Sequence, residues 1–238
     1  MSKGNPFELY FQGFISNFGG ELLTEANDQG AKTADYHFEK HGIIAELKTL
    51  MGDSSTKMDA MMKEAVREWG VDPRSIPVKR DANNLPYIEP EFIPEAIRKK
   101  WMGKLFQEIE RIVGSANKQI AHTKERFVLP SARGVLFVAN ESNLYHSNFR
   151  SYRDALGALV LKRTATGERR YSHIDAGVYF SKALPSRIEQ MPFWAPFHVE
   201  EPGNPNTELQ AFLLELRTQW YVYLEKTMGI TVRQHDSD

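Results

Sequence analysis

The chain has 238 residues, 41% of them hydrophobic and 26% charged, enough mass for a sizeable core in one large or two small domains. A formal net charge of -1 removes any global pull toward polyanions and argues against a non-specific nucleic-acid coater, while leaving room for a local basic track. There are no cysteines, which excludes disulfides and thiolate metal sites and fits a cytoplasmic protein. No apolar run approaches the roughly 18 residues of a membrane-spanning helix, and no basic-then-apolar leader opens the chain.

In chain order, residues 5–17 predict a short amphipathic helix with Pro6 near its start, broken by Gly19-Gly20. Residues 21–27 fit a helical turn or a first strand equally well, before the turn chemistry of Asn27-Asp-Gln-Gly30. Tyr36 and Phe38 alternate with Asp35, His37 and Glu39, a period of two that predicts a strand. Ile43-Ile-Ala-Glu-Leu is nearly continuous apolar, as in a central strand covered on both faces. A helix is expected over 56–69 and an irregular, proline-rich stretch over 72–94. A long amphipathic helix from about Pro94 to Lys124 follows, then a buried strand at Gly134–Ala139. Residues 147–162 predict a helix, 170–181 one or two strands, 185–205 a proline-rich loop carrying Phe193, Trp194 and Phe197, and 206–227 a last helix. The order is that of a single α/β domain over residues 1–238 with one mixed sheet.

The segment Thr33–Leu50 carries the chemistry. If its turn centres between Lys40 and His41, residue 38 pairs with 43 and Asp35 with Glu46. Directly opposed side chains share a face, with Cβ atoms about 5 Å apart. Lys48 shares that face with Glu46, and Leu47 turns to the other. An odd-length turn would destroy this register. Two carboxylates without thiolates or a paired-histidine motif favour a hard cation, Mg²⁺ or Mn²⁺. Burying carboxylates beside Ile43, Ile44 and Leu47 is costly unless something compensates. A bare Asp…Glu-x-Lys on a solvated hairpin is the bland alternative.

Ala34-Asp35 followed by Glu46-Leu47-Lys48 resembles the signature of the PD-(D/E)XK nuclease superfamily, with Ala34 in place of that family's nominal proline. The resemblance covers about residues 5–140 and is specific only at 33–50. It implies a restriction-endonuclease-like core of a helix, a three-stranded meander, a helix and a fourth strand, with a central mixed sheet flanked by helices and C-terminal elaborations over about 141–238. It implies a metal-dependent nuclease acting on nucleic acid, DNA first, with Asp35, Glu46 and the carbonyl of Leu47 as metal ligands and Lys48 as the catalytic lysine. A homodimer that cuts two strands is compatible with it, and no membrane partner is expected. The alternative is a catalytically silent module of the same fold that binds nucleic acid or a protein.

The family often adds an acid from the first helix, for which Glu8, Glu21 and Glu25 are candidates. Lys118 or Gln119 on the long helix could approach a phosphate. Basic residues cluster at Arg98–Lys104, at Lys118–Arg126 and at Lys162–Arg170, the last around an exposed turn at Thr164–Gly167 that makes it the first choice for a phosphate track.

Overall fold

The computed structural model describes residues 6–23, 32–50, 60, 63–64, 67–70, 72, 78–80, 86–88, 93–140, 149–181, 193–198 and 206–229. Helix α1 (Pro6–Asn17) leads into β1 (Glu21–Leu22), β2 (Tyr36–Phe38) and β3 (Ile43–Leu50). A small pair, β4 (Val78–Arg80) and β5 (Pro86–Ile88), precedes the long helix α2 (Glu95–Arg126). Then come β6 (Arg133–Asn140), α3 (Phe149–Val160), β7 (Ala176–Ser181), β8 (Phe193–His198) and α4 (Thr207–Met228). The main sheet has six strands in the order β1-β2-β3-β6-β7-β8. β3, β6 and β7 run parallel, and the flanking pairs are antiparallel. The chain is thus an α/β protein with a mixed open sheet flanked by helices.

The central strands read as continuous apolar runs because helices cover both faces. On β6, Val135, Phe137 and Ala139 point into one core and Leu136 and Val138 into the other. The first core takes α1 and α4. It centres on Phe11, whose ring meets those of Tyr36, Phe137, Phe180 and Trp220 edge-on at 5.2–5.9 Å. Such edge-to-face contacts add to the large area these rings bury. The second core takes Ile109, Ile112, Val113, Ala116 and Ile120 of α2, and Tyr152, Leu156 and Leu159 of α3. Their three-and-four spacing is the apolar stripe that fixed α2 in the sequence.

Helix boundaries have local causes. Asn206 caps α4 by accepting from the Leu209 N–H at 3.0 Å, and Gly229 ends it at φ +66. α2 ends two residues before Val128, the sole non-glycine at positive φ (55°) among the described residues. Gly134, the second residue of β6, sits where no side chain fits, since a Cβ there would lie 1.8 Å from the His173 carbonyl oxygen. Gly134→Ala therefore forces backbone apart, and should cost about 2–3 kcal/mol in urea unfolding, whereas Gly103→Ala, with open space around it, should not destabilise.

One open choice is resolved and three expectations change. Residues 21–22 are a strand, which completes a meander with β2 and β3. The 72–94 stretch is not wholly irregular, because β4 and β5 pair within it, and the aromatic loop Phe193–Phe197 is the edge strand β8. Of 170–181, only Ala176–Ser181 is a strand. The expected 56–69 helix falls largely outside the described residues; Ala60, Lys63, Glu64 and Arg67–Trp69 within it are helical. No described helix is long and apolar enough to cross a membrane.

Candidate active site

β2 and β3 are joined by a single 3-10 turn at Glu39–His41, closed by Gly42 in the left-handed region at φ +60. Four residues separate the strands, so the pairing is Phe38 with Ile43 and Tyr36 with Ala45. One step further along this register Asp35 stands across from Glu46. β2 begins at Tyr36, while β3 continues to Leu50 alongside β6. The two strands therefore part company at Asp35, leaving one edge of β3 without a strand partner from Glu46 onward. Asp35 fills the first gap with its side chain: its Oδ2 accepts the Leu47 N–H at 2.7 Å. The N–H and C=O of one strand residue face the same neighbour. The Leu47 carbonyl thus opens toward the same side as Asp35.

Glu46 is almost fully buried, at 1% exposure. Its Oε1 accepts from Lys48 Nζ at 2.5 Å, whereas Oε2 has no donor. The Asp35 carboxyl lies within hydrogen-bonding reach of it. Burial, and then the charge of Asp35, push the Glu46 carboxyl up to about 8, against the pull of Lys48. Burial also raises Asp35, which the Leu47 N–H and Lys48 hold back. The close Lys48 contact alone would keep Glu46 ionised, but desolvation is the larger effect. Two acidic groups this close, one of them buried, favour keeping a proton between them. A divalent cation is the other way to satisfy them.

Lys48 is held from two sides. Besides Glu46, its ammonium donates to Gln119 Oε1 on α2 at 2.6 Å. Gln119 is itself anchored: its Nε2 donates to the Thr33 carbonyl at 3.2 Å, and Ser115 Oγ donates to its Oε1 at 3.1 Å. One turn on, Thr123 Oγ1 accepts the Ala34 N–H at 2.7 Å. α2 is therefore pinned to the segment just before β2 that carries Asp35, and to the lysine on β3. An ammonium has three donor protons, and Glu46 and Gln119 take two.

Of the three candidate acids, Glu8 is the one brought near. Its Oε1 accepts from Thr49 Oγ1 at 2.9 Å, and its charge reaches Asp35 and Tyr36. Glu21 lies across from His37 on β1, one strand further from Glu46. Glu25 lies outside the described residues. Among the described residues, no group of three or more acidic or imidazole side chains is gathered for a metal ion. The Asp35–Glu46 pair nonetheless suits a hard cation. It offers two carboxylates, one of them with a buried oxygen that no donor satisfies, and a backbone carbonyl beside them.

The Lys162–Arg170 segment is not the free basic track expected of it. Lys162 and Arg170 pair with Glu110 at 3.3 and 2.8 Å, and Arg169 pairs with buried Asp175 at 3.2 Å. Asp175 also accepts the Gly134 N–H and lies 4.0 Å from Lys124, so these cations tie the hairpin turn to α2 and to the start of β6. His173 and Asp175 belong to this structural cluster, ahead of β7 rather than on a strand. The sequence offers Gln119 only as a possible phosphate contact. Its role in holding Lys48 had no local signal, because the two residues are 71 positions apart.

No protein-family model, curated protein or solved structure matches this chain.

Proposed function

We propose that the chain is a divalent-metal-dependent nuclease of the PD-(D/E)XK type, hydrolysing phosphodiester bonds in nucleic acid, with DNA the first substrate to try. The observation that carries this reading is the convergence of Asp35, Glu46 and Lys48 where β2 leaves β3. A buried and a half-buried carboxylate share a site with an ammonium that has a donor to spare. The element order α1, β1–β2–β3, α2, β6 is that of the restriction-endonuclease-like core with β4–β5 inserted between β3 and α2, and α3, β7, β8 and α4 would be its C-terminal elaboration.

Asp35 and Glu46 would hold the metal, with the Leu47 carbonyl as a further ligand. Mg²⁺ or Mn²⁺ there would polarise the phosphodiester and lower the pKa of a bound water. Lys48, fixed by Gln119, directs its third proton to the attacking water or to a phosphate oxygen, where negative charge builds. The Leu47 N–H orients Asp35 by holding Oδ2. Ile44 and Leu50, buried on the same face of β3, limit water around the pair.

The test is incubation of the purified chain with labelled single-stranded DNA, duplex DNA and RNA, in EDTA, Mg²⁺ or Mn²⁺. Cleavage is expected with metal, absent in EDTA and lost in Asp35→Asn. Intact substrates throughout, with metal still raising thermal stability, would instead favour the silent binding module.

A further inference from the structure

We propose that one stripe of α2 is the track for the nucleic-acid backbone on either side of the scissile phosphate, an inference that rests on the nuclease reading above. Arg111, Ser115, Lys118 and His122 are spaced four, three and four apart, which puts them on one narrow arc of the helix. Arg111, Ser115 and Lys118 are exposed and His122 is half-buried. The arc borders the site directly, because Ser115 Oγ touches Gln119 Oε1 and Gln119 touches Lys48. From Arg111 to His122 the stripe extends about 16 Å along the helix axis, enough for more than one phosphate.

Availability of charge selects this stripe over the other basic clusters. Lys162, Arg169 and Arg170 already serve Glu110 and Asp175, and Lys99 pairs with Glu95 at 2.7 Å. Arg111 and Lys118 form no ion pair with any described residue. Glu108 and Glu125 stand three residues beyond the two ends of the stripe. A strand that places a phosphate at Lys48 then finds its neighbouring phosphates next to Arg111 and Lys118. Such contacts carry affinity and register rather than sequence preference.

The test separates this proposal from the nuclease reading by measuring binding without cleavage. Anisotropy of fluorescein-labelled single-stranded and duplex DNA is followed in EDTA between about 50 and 200 mM salt. Arg111→Ala/Lys118→Ala should weaken binding about tenfold or more and reduce the slope of log affinity against log salt by about 1–2. Lys40→Ala/Lys226→Ala, a charge-matched pair elsewhere on the surface, should leave both unchanged. Superimposable melting curves establish that all three proteins are folded. The proposal is overturned if the stripe variant binds like the wild type, if the control loses as much, or if the wild type binds neither DNA. Stripe-dependent binding by a protein that never cuts in Mn²⁺ would support the track and remove the nuclease. Cutting with stripe-independent binding would do the reverse.

Discussion

Lys48→Ala should reduce metal-dependent cleavage by about 10²–10³-fold in single-turnover assays, the usual cost of removing one pre-positioned donor from developing charge. The loss should lie in the chemical step, with DNA affinity in EDTA nearly unchanged, since the ammonium is one contact among several. The fold should survive. Breaking a buried ion pair ordinarily costs about 3–5 kcal/mol, because a charge is stranded. Here the stranded group can become neutral, since burial and Asp35 already favour protonated Glu46. Gln119 keeps its contacts with Ser115 and the Thr33 carbonyl. A variant that melts like the wild type and still cuts at more than a third of its rate would remove Lys48 from the mechanism.

In EDTA the protein should lose stability as pH rises from 5 to 8, and Glu46→Gln should abolish much of that loss. The sign follows from the Glu46 carboxyl, which is raised on folding from 4.5 to about 8. Between those values the folded state holds a proton that the unfolded chain has released. Stability therefore falls with pH, by up to about 1.4 kcal/mol per pH unit for one such group. It is fully present below the unfolded value and gone above the folded one. Asp35, shifted in the same direction, adds to the trend. Glutamine keeps the shape and cannot ionise, so the variant should be the more stable protein at pH 8 by a few kcal/mol, of order the integrated slope. Urea midpoints at pH 5, 6.5 and 8 provide the measurement. Adding Mn²⁺ at pH 8 should restore the wild type, by about 2.7 kcal/mol at a hundredfold excess over Kd, and leave Glu46→Gln much less affected. Equal wild-type midpoints at pH 5 and 8 would refute the buried-pair account.

Much of the site was legible because its geometry is local. The Asp35–Glu46 register needs only a period of two and a turn of even length, and Gly42 supplies the left-handed residue that closes the turn. β3 and β6 announced themselves as apolar runs because each is covered on both faces. Prolines misled the reading elsewhere. Phe193–His198 contains Pro196, which lacks the N–H a central strand needs, yet β8 is an edge strand with one side unpaired. Pro86 likewise opens β5 at a position where a strand tolerates it. The Lys162–Arg170 cations looked free because their partners, Glu110 and Asp175, are not all adjacent in sequence.

The sequence by itself determined the α/β order of elements, the hairpin register and the placing of Asp35, Glu46 and Lys48 together, since these follow from side-chain periodicity within a few residues. Only the tertiary structure decided that Glu8 rather than Glu21 approaches the pair, that Gln119 holds Lys48, and that Arg111 and Lys118 of α2 form no ion pair with another described residue. Those contacts join elements 41 to 71 residues apart. They depend on how far each helix slides and turns as its apolar face beds against the sheet, and no local pattern encodes that.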